Sequence, residues 1–282
     1  MKKLLLALWV ICALSTSAQT NFTYENDKYF EVGGSVGLMN ARTDLSRKIL
    51  WNQGHTSASV FAAFNYQNLL VGRAEFTFGA VEASDLESRD DKLKPRGLSF
   101  KSNISEIAVI GEFHPLMLNY WTDMYGAPDL SPYIAAGVGM FWFEPKTFYN
   151  GEWLSLPKYR TEGQGFPEYP DRKPYSLQQF SFPLGIGVKY DISPSISMRA
   201  EFLYRFTSTD YLDDVSKTYV DLKLFDKYMT PAEAAIAKAL SKRITNPNTT
   251  AGEPRGFSKD KDGFFVIGLK LSVSLGRTYD YW

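Results

Sequence analysis

Eight segments of this 282-residue chain alternate apolar and polar residues with a period of two. Such alternation is typical of a β-strand with one apolar and one polar face, and about ten residues are enough for a tilted strand to cross a bilayer. The segments are residues 29–39, 57–66, 69–80, 104–113, 133–143, 177–190, 196–206 and 264–275. Apart from the N-terminus, no apolar run is long enough for a membrane-spanning helix, so the pattern predicts an all-β fold.

The two faces of these segments favour a membrane barrel over a soluble sandwich. A soluble sheet would present many charges to solvent, whereas the polar face here is rich in glycine and serine with few charges. The apolar faces end in aromatic residues, as expected at a membrane interface: Tyr66, Phe78, Phe113, Trp142, Tyr190 and Phe206. We therefore predict an eight-stranded antiparallel transmembrane β-barrel, with a soluble sandwich or lipocalin-like barrel as the alternative.

The polar face carries five acids and five bases. They are Glu31, Glu75, Glu106, Glu112, Glu201, Arg73, Arg199, Arg205, Lys189 and Lys270. A charge enclosed in a narrow lumen is stable only beside a partner of opposite sign. The equal numbers are what such a lumen requires, and we expect all ten side chains to lie inside the barrel.

The N-terminus predicts export. Residues 1–18 combine a basic start, an apolar stretch and small residues before the cleavage site, as in a secretory signal peptide. Cys12 suggests a lipoprotein signal as the alternative, but it lies inside the apolar stretch. We expect residues 19–28 to form a periplasmic tail, 29–276 the barrel and 277–282 a C-terminal tail. The predicted location is the bacterial outer membrane.

With both termini in the periplasm, the connections divide between the two sides of the membrane. The outer loops would be 40–56, 81–103, 144–176 and 207–263, and the inner connections 67–68, 114–132 and 191–195. In the last outer loop, the sequence from Thr230 to Glu233 is a capping box and predicts a short helix.

The connection 114–132 is long and apolar for a periplasmic turn. A plug under the barrel and a partner-binding surface both explain it. The candidate partner-binding residues are Leu116, Met117, Tyr120, Trp121 and Tyr125.

Catalytic and metal-binding patterns are weak in this sequence. His55 and His114 fall on opposite sides of the membrane in this topology, which argues against a histidine-dependent hydrolase. Asp210, Asp213 and Asp214 suit either a divalent cation or a solvated or backbone-bonded turn. We predict no cofactor and no enzymatic activity.

The remaining function classes are limited by charge and by size. Lysine and arginine total 31, as do aspartate and glutamate, so the chain lacks the basic excess of a nucleic-acid-binding protein. Eight strands enclose room for side chains but not for a water channel, which disfavours a small-solute porin. A structural or interaction role and an outer-membrane receptor or adhesin both fit.

Several loop and strand segments resemble a known family. FEPKTFYNGEWLSL, TEGQGFPEYPDRKPYS and TSTDYLDDVSKTYVD, with PYIAAGVGMFWF and FPLGIGVKYDI, are similar to the PorG-type outer-membrane barrels of Bacteroidota. The resemblance is most specific between residues 132 and 221. It implies a place in the type IX secretion system, where the family associates with the periplasmic ring of the lipoprotein PorK and of PorN.

The two loops that carry this resemblance contain a candidate charged motif. Its residues are Asp171, Arg172, Lys173, Asp210, Asp213 and Asp214. We expect Arg172 or Lys173 to pair with Asp213 or Asp214 on an exposed rim, where an ion pair contributes about 0–1 kcal/mol.

Overall fold

The structure is a computed structural model. It describes residues 23–24, 28–46, 54–88, 90–91, 93–120, 128–243, 250–258, 260–277 and 279–280. The predicted signal peptide and the candidate residues Trp121 and Tyr125 lie outside the described residues.

Eight long strands form one closed antiparallel barrel. They are β1 (Lys28–Arg42), β2 (His55–Tyr66), β3 (Leu70–Ser84), β4 (Ser99–Phe113), β5 (Leu130–Phe143), β6 (Gln178–Ser193), β7 (Ile196–Thr207) and β8 (Gly263–Leu275). Each strand pairs with its neighbours in sequence, and β8 pairs with β1 to close the wall. The predicted eight-stranded fold is confirmed.

The outer surface of the barrel wall is a continuous apolar band. Large exposed side chains point outward from every part of the wall, among them Val36, Val60, Val109, Val138, Ile186 and Leu269. A soluble protein rarely exposes so large an apolar surface, whereas a transmembrane barrel requires one. None of the helices in the described part of the chain is long and apolar enough to span a membrane. The band is the surface that the bilayer covers, so the soluble alternative is excluded.

The two ends of the barrel differ in the length of their connections. One end has the tight turn at Gln67 and Asn68, which have φ angles of 54° and 50°. Two successive left-handed residues form the turn that best matches the twist of a hairpin. Short turns face the periplasm in barrels of this kind, so we call this the inner end and the end with the long loops the outer end.

At the outer end, strands β3 and β4 extend beyond the predicted segments. There the inward side chains become apolar and the outward ones charged, as at Phe100 and Lys101 of β4. Because this inverts the alternation, the sequence pattern stops while the strand continues. The inward apolar residues Ile104, Phe141 and Phe264 form the base of a hydrophobic core that fills the mouth of the barrel.

The outer loops fold over this core and form a compact cap. The cap contains a hairpin of two short strands, Lys146–Tyr149 and Glu152–Ser155, followed by α1 (Leu156–Tyr159). It also contains α2 (Lys223–Tyr228) and α3 (Pro231–Ser241). Helix α3 begins as predicted, with the Thr230 hydroxyl accepting the Glu233 N–H at 3.4 Å. The hairpin, α1 and α2 are too short to produce a recognisable periodicity.

Candidate functional site

The interior of the barrel gathers all ten charged residues of the polar face. Each side chain is buried and lies within 4.0 Å of at least one partner of opposite charge. They are Glu31, Glu75, Glu106, Glu112, Glu201, Arg73, Arg199, Arg205, Lys189 and Lys270. We call these ten residues the lumen network, and their contacts divide it into a centre, an inner part and an outer part.

Arg73 is the centre of the lumen network. Its guanidinium contacts Glu75 at 2.9 Å, Glu201 at 2.8 Å, and Glu112 in a still closer contact. One cation among three carboxylates leaves a local excess of negative charge. Lys270 reduces that excess, because its ammonium lies 2.5 Å from Glu75 and 3.3 Å from Glu201.

The inner part of the network is built on Glu31. Its two carboxylate oxygens pair separately with Lys189 at 2.8 Å and with Arg199 at 2.7 Å. The Ser272 hydroxyl donates a further hydrogen bond at 2.9 Å. Arg199 also lies 3.6 Å from Glu112, so it joins the inner part to the centre.

The outer part is a single ion pair beneath the apolar core. Arg205 contacts Glu106 at 3.0 Å, and the Ser181 hydroxyl donates to the other oxygen of Glu106 at 2.6 Å. Between this pair and the centre, a cavity of about 10 Å³ lies beside Glu75, Arg205 and Lys270. A cavity of this size holds about one water molecule. The interior is therefore filled with side chains, as expected for eight strands.

Phe61 is a lumen residue that the sequence analysis missed. Its buried ring lies among three cations, with Arg73, Arg199 and Lys270 at 5.7, 5.9 and 5.4 Å from the ring centroid. A cation near an aromatic face gains electrostatic stabilisation, particularly where water is excluded. The sequence marks Phe61 as a lumen residue only by its position, because it is a large apolar residue on the polar face of its strand. It faces Gly33 of β1, where a Cβ would overlap the ring.

His114 lies beside a serine and a glutamate at the inner end of the barrel. The Ser131 hydroxyl is 2.9 Å from Nδ1, and a Glu112 oxygen is 3.5 Å from Nε2. These three residue types form catalytic triads, but 3.5 Å is too long for the orienting hydrogen bond. Glu112 also pairs with Arg73 and Arg199, and the Ser131, His114 and Glu112 side chains are all buried. The arrangement has the composition of a triad without its geometry.

The partner-binding candidates begin with the short 3₁₀ helix Pro115–Tyr120. Leu116 is 39% exposed and the neighbouring Leu118 is 54% exposed, whereas Met117 is only 4% exposed. Tyr120 is half-buried. Two apolar residues of this segment are therefore accessible, while Met117 faces the barrel and cannot contact a partner directly.

The three aspartates of the candidate loop motif are buried inside the cap. Asp213 accepts the N–H groups of Val215 at 2.9 Å and Leu45 at 3.3 Å. Asp214 accepts the Tyr175 hydroxyl at 2.6 Å and the Thr161 hydroxyl in a closer contact. Asp210 likewise accepts from a serine hydroxyl. Within the described part of the chain, no group of three or more potential ligands could hold a metal ion. The geometry matches the backbone-bonded turn and not the cation site.

The expected ion pair between Arg172 and an aspartate is wrong. The guanidinium is buried and donates to the Glu162 carbonyl at 3.0 Å and to the Thr218 carbonyl at 2.8 Å. It also stacks on Tyr169 at 4.2 Å. Lys173 is exposed, as is Asp171, which lies 3.6 Å from a lysine. The loops close into a cap rather than forming an exposed rim, so Arg172 satisfies buried carbonyl groups instead of a carboxylate.

A buried ion pair in the cap joins two residues that the sequence analysis did not identify. Arg255 contacts Glu162 at 3.0 Å, and both side chains are almost completely buried. The Glu162 carboxylate also accepts the backbone N–H groups of Ser216 and Lys217. The partners are 93 residues apart in the chain, and no local motif could have connected them.

Burial changes the pKa of several cap aspartates. It raises the pKa of Asp210 to about 7 and that of Asp214 to about 6. The pKa values of Asp213 and Asp262 are also raised well above the usual range, first by burial and then by neighbouring aspartates. The ionised cap is therefore under electrostatic strain that protonation relieves.

The lumen network predicts a large effect of the Arg73→Met substitution. Removing the central cation leaves three buried carboxylates short of a partner, and loss of one member of a buried pair costs about 3–5 kcal/mol. Urea unfolding of the detergent-folded barrel would measure the loss. The control is Lys158→Met on the exposed side of the cap, with an expected change within about 0.5 kcal/mol. Equal stability of the two variants would contradict the account.

The raised pKa values predict that the cap becomes less stable as the pH rises. An acid with a higher pKa in the folded state binds more protons when folded, so stability falls between the unfolded and folded pKa values. This interval runs from 3.8 to about 7 for Asp210 and from 3.8 to about 6 for Asp214. We expect amide-exchange protection of Val215, corrected for intrinsic rates, to be lower at about pH 8 than at about pH 5.

The Asp210→Asn, Asp214→Asn double variant is the control for this pH effect, because asparagine does not titrate and tolerates the left-handed φ of Asp214. Protection in the double variant should depend less on pH. Protection in the unaltered protein that is constant or increases with pH would show that these carboxylates are not strained.

Solved structures similar to this chain are bacterial membrane barrels. Neisserial surface protein A has a TM-score of 0.43 and 9% identity, and the match covers 87% of this chain and 97% of that one. Ail, the attachment invasion locus protein of Yersinia pestis, has a TM-score of 0.40 and 8% identity, with 89% and 100% covered. A major outer membrane protein from Thermus thermophilus has a TM-score of 0.40 and 11% identity, with 89% and 100% covered.

No curated protein matches the chain. A family model described as "Domain of unknown function (DUF6089)" matches residues 2–226, which is most of the sequence. The closed wall and its apolar outer band make the protein an integral barrel of the bacterial outer membrane. The chain belongs to the DUF6089 family and is an outer-membrane β-barrel protein.

Proposed function

We propose that the protein is a non-enzymatic component of the type IX secretion system that associates with the periplasmic ring of PorK and PorN. The observation that carries the proposal is the filled interior, since a barrel whose lumen is occupied by paired charges must act through its surfaces. The resemblance of residues 132–221 to PorG-type barrels supports the secretion system as the context.

The inner end is the part of the barrel that a periplasmic ring can reach. The turn at Gln67 and Asn68 and the turn after β6 are both short and offer little area. The helix Pro115–Tyr120 offers the exposed side chains of Leu116 and Leu118. Apolar side chains near the centre of an interface contribute most of its binding free energy.

The same helix is held in place by the barrel. Met117 packs inward, and His114, immediately before the helix, is fixed by its hydrogen bond to Ser131. A surface that is ordered before binding loses less conformational entropy when a partner docks. These contacts support a preformed docking surface in the segment 114–120, with Trp121 and Tyr125 as further candidates beyond it.

The Leu116→Ser, Leu118→Ser double variant tests this surface. We expect it to insert normally but to lose PorK and PorN when the tagged barrel is purified from outer membranes in mild detergent. The loss has a physical cause, because two apolar contacts of about 1–2 kcal/mol each are removed.

Leu86→Ser is the matched control, since Leu86 is 68% exposed but lies in an outer loop. Heat-modifiable gel migration would verify that both variants are folded. Full retention of the ring proteins by the double variant would place the contact elsewhere. If the unaltered barrel carried no ring proteins either, a receptor or adhesin that uses the outer loops would become the stronger candidate.

The non-enzymatic assignment predicts that Ser131 does not react as a nucleophile. A fluorophosphonate probe, which labels activated serines, should leave the folded barrel unlabelled, because His114 lacks an orienting hydrogen bond to Glu112. If the probe labelled the barrel, and the label were lost in Ser131→Ala but kept in the buried-serine control Ser197→Ala, the protein would instead be a hydrolase.

A further inference from the structure

The cap hairpin extends the barrel wall above the membrane at one place. Its first strand pairs with the outer end of β4, where Lys146 stands directly opposite Lys101. The adjacent residues Thr147 and Phe100 are buried in the interior. Because side chains alternate along a strand, both lysines are on the outward face, the same face that contacts lipid lower down.

The height of this place relative to the bilayer follows from the register of β4. Ser105 pairs with Phe78 and with Trp142, which are exposed aromatic residues at the upper edge of the apolar band. Lys101 is four residues further out, about 13 Å along the strand and about 10 Å in height once strand tilt is included. This is the level of lipid headgroups, immediately above the hydrocarbon.

The two lysines are directly opposed cross-strand neighbours, and each also pairs with an acid. Like charges at directly opposed positions of a sheet are destabilising. Lys146 lies 2.8 Å from Glu144, and Lys101 lies 3.4 Å from Glu82. An anion placed between the two ammonium groups would remove their mutual repulsion.

A cavity of about 340 Å³ opens beside these residues. Its lining is Lys101, Asn103, Glu144, Lys146 and Trp153. Trp153 is 51% exposed and its ring meets the equally exposed Phe148 ring edge-on at 5.6 Å. Amphipathic aromatic rings of this kind are typical of the membrane interface. The cavity thus combines cationic groups, an amide donor and an apolar wall.

We propose that this cavity binds the phosphorylated headgroup of an outer-leaflet lipid. Lys101 and Lys146 hold the phosphate between them, and the Asn103 amide donates a further hydrogen bond. Trp153 and Phe148 pack against the apolar part of the same lipid. Glu144 also lines the cavity, but one of its oxygens accepts from Ser155 at 2.7 Å and the other pairs with Lys146 at 2.8 Å, so it positions the lysine. This site is independent of the proposed secretion role, because it faces the opposite leaflet.

Native mass spectrometry of the folded barrel, titrated with bisphosphorylated lipid A or with its dephosphorylated form, tests the proposal. We expect the phosphorylated lipid to bind about tenfold more tightly or better. The Lys101→Gln, Lys146→Gln double variant should lose that preference. The control is Lys158→Gln, Lys227→Gln, which removes the same charge from exposed positions of the cap.

Four outcomes decide the result. Restoration of the preference by Lys101→Arg, Lys146→Arg would support the site, because arginine keeps the charge. Equal binding of the two lipids by the unaltered barrel would overturn it, as would an equal loss in the control variant. Inorganic phosphate that binds as tightly as the lipid would also overturn the assignment to a lipid headgroup.

Discussion

The buried ion network around Arg73 is the interaction on which the rest of the barrel depends. Moving a charge out of water costs several kcal/mol, and only close partners and further hydrogen bonds recover that cost. Here each of five acids and five bases contacts at least one partner of opposite charge, and hydroxyl groups such as those of Ser181 and Ser272 add further hydrogen bonds to the carboxylates. The network fills a lumen that eight strands make too narrow for a channel.

Above the network the interior changes character. The inward side chains become apolar at Ile104 and Phe141, and the same core continues into the helices of the cap. Buried carboxylates hold the loops over this core, since Asp213 and Glu162 accept backbone N–H groups that would otherwise lack partners. The outer loops are therefore a folded layer joined to the barrel, and the buried aspartates Asp210, Asp213 and Asp214 in them are structural groups under electrostatic strain.

The sequence predicts mainly those features of the fold that a period-two alternation of polar and apolar residues encodes. The strands, their lipid face and the phase of residues such as Glu31 and Arg73 follow directly from the pattern. The strand extensions at Phe100 do not follow from the pattern, because the alternation of polar and apolar residues inverts above the bilayer. The cap contacts of Arg172 and Arg255 depend on loops distant in sequence, for which no local signal exists. The apolar side chain of Met117 predicts a partner contact, but its burial in a short helix has no periodicity to reveal it.

The lumen of this barrel is closed by paired side chains. Conductance of the folded protein in a planar lipid bilayer tests this closure most directly. We expect insertion without any steady ionic current across a range of applied voltages, since the lumen cavity beside Glu75, Arg205 and Lys270 holds about one water molecule. A stable ohmic conductance from the unaltered protein would contradict it, because ions could cross only if the Arg73 network left an open path.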